Sequence, residues 1–115
     1  MDVTTNPSII SATVRQDDRA VAECGPPRAP ARSRHGKGLA LEDHERVAVG
    51  LGRRLLGVFP GRVCTQLYIR CTDAGRMVEK ARYIVAMYAE AGVPQERVLI
   101  KTPATWAGIR ATERL

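Results

Sequence analysis

Aromatic residues make up only 4% of this 115-residue chain. No apolar run approaches the ~20 residues that a membrane-crossing helix needs. The first shortage leaves little to stack on nucleic-acid bases, and the second excludes an ordinary transmembrane helix. Cysteine is scarce too: Cys24, Cys64 and Cys71 give an odd count with no CxxC pair. That pattern fits reduced thiols better than a disulfide framework, and it excludes an ordinary zinc cluster. His35 and His44 share no ligand-like spacing with the cysteines, so no metal site is expected. Acidic residues are outnumbered, 12 against 18 Lys+Arg, for a net charge of +6 and a pI near 9.8.

Much of the excess charge is local. Arg28, Arg32, Arg34 and Lys37 sit in a stretch from Cys24 to Gly38 that is rich in proline, glycine and alanine. Such a segment buries no face, and residues 24–38 read as a disordered insert or solvated loop. With few aromatics and no recognition motif, nucleic acid is not an expected partner; a salt-sensitive basic arm is the competing reading. The N-terminal residues lack the basic and apolar regions of a signal peptide, and a cytoplasmic location is expected.

The rest of the chain alternates strand and helix signals. Residues 1–10 form a first short strand and turn, with Asn6 held extended by Pro7. From 41 to 58 an apolar stripe of Val47, Leu51, Leu55 and Val58 predicts a helix, weakened by Gly50 and Gly52. Pro60-Gly61 ends it. Arg62 to Cys71 predicts a strand with apolar or intermediate residues on both faces, as a parallel strand covered on both sides has. Thr72 or Asp73 caps the next helix, whose stripe is Val78, Ala81, Val85 and Tyr88, and Gly92 stands at its left-handed end. Arg97 to Lys101 is the third strand, and Thr105 starts a last helix over Trp106 to Leu115. This βα repeat predicts an α/β fold with parallel strands, without choosing between a barrel and an open sheet.

Lys101 is the candidate catalyst. It ends the apolar segment Val98-Leu99-Ile100, and burial favours an amine's neutral form, the one that attacks a carbonyl to form a Schiff base. The plain alternative is a lysine that ends a strand with its ammonium in water. Asn6, Gln66 and Lys101 fall at or near the C-terminal ends of three successive strands, which would gather them around one pocket. For Asn6 the plain alternative is a turn-former before proline.

Three segments in this order resemble those of the transaldolase family: Asp2-Val3-Thr4-Thr5-Asn6-Pro7-Ser8, Pro60-Gly61-Arg62-Val63-Cys64-Thr65-Gln66, and Glu96 to Trp106 around the lysine. The likeness covers residues 2–10 and 45–115; residues 11–40, where the family has a long helix, show little. The resemblance implies a TIM barrel, of which this chain holds about three βα units, so that residues 1–115 form a single incomplete domain. It implies that Lys101 forms a Schiff base with a ketose phosphate of the fructose 6-phosphate or sedoheptulose 7-phosphate class. A dihydroxyacetone unit is then transferred within the pentose phosphate pathway, with Asn6 hydrogen-bonding that unit and no cofactor required.

Several positions depart from the family pattern. Gln66 stands where the family has the glutamate that serves proton transfer, and an amide moves no proton at useful pH. Tyr68 stands for an aspartate and Cys64 for a serine, and Thr102-Pro103-Ala104 replaces a tripeptide of small or apolar residues. A closed barrel needs about 250 residues, so the chain is expected to be a truncated and divergent copy. The competing expectation is a non-catalytic remnant or interaction protein that self-associates or pairs with a full-length paralogue through exposed sheet edges.

Overall fold

The computed structural model describes residues 2–5, 41–67 and 73–115. Strand β1 (Val3–Thr5) is followed by helix α1 (Leu41–Val58), strand β2 (Val63–Gln66) and helix α2 (Ala74–Glu90). A 3-10 turn (Gln95–Arg97) then leads into strand β3 (Val98–Lys101) and helix α3 (Trp106–Thr112). The sheet order is β1-β2-β3 and both pairings are parallel, with Val3 opposite Val63 and Val63 opposite Val98. The α/β expectation holds: three parallel strands alternate with helices in an open sheet, consistent with part of a (β/α)8 barrel. Asn6, the 24–38 insert, Tyr68 and the end of the expected second strand lie outside the described residues.

Helix α2 starts and stops as its sequence dictates. The Asp73 carboxylate accepts the Arg76 N–H at 2.9 Å, a cap worth about 1 kcal/mol. At the other end Gly92 takes φ +79°. Gly92 N–H donates to Ala89 C=O and Val93 N–H to Tyr88 C=O, each at 2.9 Å. This pair of bonds closes the helix in a Schellman turn, with Val93 and Tyr88 both buried in the core.

Helix α1 lies on the sheet through a face rotated from the one its apolar stripe predicts. Of that stripe Val47 is buried and Leu51 and Leu55 are half-buried, but Val58 is 77% exposed, and Glu45, Val49, Gly52 and Leu56 are buried. The face is set by close approach. A Cβ at Gly52 would collide with the Tyr88 hydroxyl, so only glycine lets α1 pass over that ring. Glu45 belongs to the same face because it pairs with Lys80 of α2 at 2.5 Å. Neither a glycine nor a glutamate registers in an apolar count.

The sheet has one covered face. Val63, Thr5 and Thr65 are at most 1% exposed, and Val3, Val98 and Ile100 pack against the same core. Thr65 and Tyr88 share a buried hydroxyl–hydroxyl bond of 2.7 Å. The opposite face carries Thr4, Cys64, Gln66, Leu99 and Lys101, all intermediate or exposed. Coverage on both sides, expected from the apolar content of β2, is therefore not found among the described residues. In a closed barrel that second face is the interior, filled by side chains from the other strands.

The N-terminal end of the sheet is stapled by two arginines. Arg62 donates its backbone N–H and its guanidinium to Asp2, at 2.9 and 3.0 Å. Arg97 reaches Phe59 C=O at 2.7 Å and Gly61 C=O at 2.8 Å, which fixes the turn from α1 into β2.

Candidate functional site

At the C-terminal end of the sheet Gln66 is the register partner of Lys101. Register partners on adjacent parallel strands point to the same face, at a strand spacing of about 4.8 Å. Both therefore project from the uncovered face. Leu67 N–H donates to Lys101 C=O at 3.0 Å, which carries the ladder one step past Gln66 and holds the two strand ends together. Thr5 pairs with Thr65, and Asn6, next along the chain, lies outside the described residues. The structure thus brings two of the three expected site residues side by side.

Gln66 is half-buried and Lys101 is exposed. The burial that singled out Lys101 from its sequence is absent here, because the strand-end argument assumed a covered mouth and this face is open. What distinguishes the lysine in the structure is its place in the register.

The chain after Lys101 is firmly held. Thr105 caps α3 by accepting Gly108 N–H at 3.1 Å. Gly108 is buried against the Pro103 carbonyl, so closely that a Cβ there would collide with it. Thr112 Oγ1 donates to Gly108 C=O at 2.9 Å and therefore accepts from Thr102 Oγ1 at 3.0 Å. The Thr-Pro-Ala departure is thereby accommodated: Pro103 packs against Gly108 in the first turn of α3. A shallow depression of about 460 Å³ lies beyond it, lined by Thr102, Pro103, Ala104, Ile109, Thr112 and Glu113. Neither Gln66 nor Lys101 lines that depression.

Behind the site, burial pushes the Tyr88 phenol up to about 12, with the bond to Thr65 pulling the other way. The hydroxyl stays neutral and holds β2 one residue before Gln66. Tyr88 is legible in the sequence only as a member of an apolar stripe. Its partnership with Thr65 and Gly52 has no sequence signal beyond a glycine inside a helix. Among the described residues no cluster of three or more His, Cys, Asp or Glu is placed to hold a metal ion.

A parallel sheet with a lysine and an amide in register at its C-terminal edge is one arrangement; comparison with known proteins gives its lineage. The sequence profile of the transaldolase/fructose-6-phosphate aldolase family matches residues 1–115. The chain belongs to this family. It is 36% identical over 116 residues to transaldolase A of Pasteurella multocida, 38% identical over 116 residues to a transaldolase of Actinobacillus pleuropneumoniae, and 40% identical over 125 residues to a transaldolase of Gloeobacter violaceus. Each match covers 99% of this chain, but only 37%, 37% and 31% of the relative. The chain thus spans about a third of the length of these transaldolases. No helix of the described residues is long and apolar enough to cross a membrane.

Proposed function

We propose that this chain carries the lysine portion of a transaldolase-type site. Lys101 attacks the ketone of a ketose phosphate of the fructose 6-phosphate or sedoheptulose 7-phosphate class. The resulting iminium draws electrons from the carbon–carbon bond one atom removed from it. The hydroxyl beyond that bond gives up its proton as the aldehyde leaves, and a dihydroxyacetone unit stays on the lysine as an enamine until an aldose acceptor takes it. The observation that carries the reading is the register of Gln66 with Lys101 at the C-terminal end of a parallel sheet, on the face the helices leave open. Reacting groups in barrels of this architecture come from those strand ends. Asn6 is assigned to hydrogen-bond the bound unit. Gln66 keeps a hydrogen bond but moves no proton, so turnover is slow by about 10²–10⁴-fold relative to a site with a general acid–base. The chemistry needs no metal or organic cofactor, because the iminium is itself the electron sink. Residues 1–115 act as one incomplete barrel domain, and a cytoplasmic place in the pentose phosphate pathway is part of the same proposal.

On mixing with fructose 6-phosphate, the protein is expected to release glyceraldehyde 3-phosphate in one burst no larger than the protein concentration, and Lys101→Ala to release none. A folded protein that gives no burst overturns the reading. Erythrose 4-phosphate then separates the two activities in the family's name: transfer yields sedoheptulose 7-phosphate, whereas simple aldol cleavage does not.

The same uncovered face supports a second reading. Parallel sheets are normally covered on both sides. Strands of a full-length relative, or of a second copy of this chain, would cover the face that carries Cys64 and Leu99. Light scattering on a size-exclusion column checks this: a folded monomer that binds no barrel relative removes it.

A further inference from the structure

We propose that the proton transfers at Lys101 are supplied from solution, so that small dissolved acids and bases, and no carboxylate or imidazole among the described residues, set the rate of imine formation. The inference rests on the Schiff-base reading above. The open face presents Thr4, Cys64, Gln66, Leu99 and Lys101, with no carboxylate and no imidazole among its described residues. Gln66 occupies the register position beside the amine, where its amide hydrogen-bonds but neither takes nor gives a proton near neutral pH. Two described carboxylates elsewhere on the helices that follow β2 and β3 are engaged: Asp73 caps α2, and Glu113 pairs with Arg110 at 3.0 Å. Lys101 is exposed, so a dissolved acid reaches the position that a catalytic carboxylate would otherwise fill.

The chemistry requires two proton movements. The neutral amine adds to the carbonyl carbon, and the proton lost by nitrogen ends on the carbonyl oxygen, giving a carbinolamine. That hydroxyl takes a second proton and leaves as water while the nitrogen lone pair forms the C=N bond of the iminium. A side chain at the position of Gln66 would relay both protons if it titrated. Here the relay falls to a small acid–base pair such as imidazolium and imidazole, and that class is the co-reactant of the site.

The test follows adduct formation on Lys101 with dihydroxyacetone and cyanoborohydride, at fixed pH and ionic strength, over a range of imidazole concentration. Raising imidazole about tenfold is expected to raise the wild-type rate by about threefold or more. Gln66→Glu is expected to start faster and to respond little to imidazole. A wild-type rate that ignores imidazole overturns the proposal and leaves the Schiff-base reading standing, as does a Gln66→Glu rate as imidazole-dependent as the wild type. No adduct on Lys101 in either folded protein overturns both.

Discussion

Val63 and Cys64 are neighbours in β2, yet one is fully buried under the helices and the other lies on a face that no described element covers. The same alternation runs through Thr5 against Thr4 and Ile100 against Lys101. Side chains of odd position in β2 hold α1 and α2 to the sheet; those of even position hold nothing among the described residues and end in the Gln66–Lys101 pair. One strand thus divides the face that holds the core from the face that carries the proposed site, with a period of two. The division teaches why this portion of a barrel keeps a core of its own: the helices that cover the strands are present, and what is open is the face a barrel turns inward.

The largest effect should come from the covered face. Val63→Ala is expected to destabilise by about 2–3 kcal/mol, while Cys64→Ala should stay within about 1 kcal/mol, both read by urea denaturation. Equal effects would erase the distinction between the faces. Gly52→Ala sharpens it by sign. Helix propensity alone favours alanine by about 1 kcal/mol. The Tyr88 ring, buried and tied to Thr65, has nowhere to move, so a net loss of about 1–2 kcal/mol is expected from overpacking. A stabilised variant would mean that α1 does not pass over Tyr88 this closely. Tyr88→Phe leaves the Thr65 hydroxyl buried without its partner and should lose about 1 kcal/mol, a deficit that Thr65→Val in the same chain largely removes.

The smallest effect is a pH dependence at the N-terminal end. The Arg62 backbone N–H and guanidinium hold the Asp2 carboxyl below its ordinary value of 3.8. A group depressed in the folded state contributes stability that is present above its unfolded value and is lost as pH falls through the folded one. Asp2→Asn should therefore lose a little stability at neutral pH, and that deficit should shrink as pH falls below 3.8, which flattens the acid limb. A loss at neutral pH as large as that at acid pH would show that the contact works through packing.

Much of the fold was legible because its signals are local. Asp73 and Gly92 bracket α2, Pro60-Gly61 separates α1 from β2, and the βα alternation gives parallel strands. The docking face of α1 was only partly legible: Val47 of the expected stripe is buried, but Gly52 and Glu45 turn the face through contacts with Tyr88 and Lys80 on another helix. For the site, the sequence identified Lys101 and Gln66 as strand-end residues, and the register makes them neighbours. Its reason for choosing Lys101, a buried strand mouth, does not hold in this chain, where the lysine is exposed. Family resemblance carried that choice, and Asn6 falls outside the described residues.

The central claim is that Lys101, among Lys37, Lys80 and Lys101, is the residue that takes the substrate. Borohydride reduction in the presence of fructose 6-phosphate, followed by peptide mapping, tests it most directly. The account predicts a reduced three-carbon adduct on Lys101 and none on Lys37 or Lys80. Adduct spread evenly over the three, or absent from a protein shown to be folded, would contradict it.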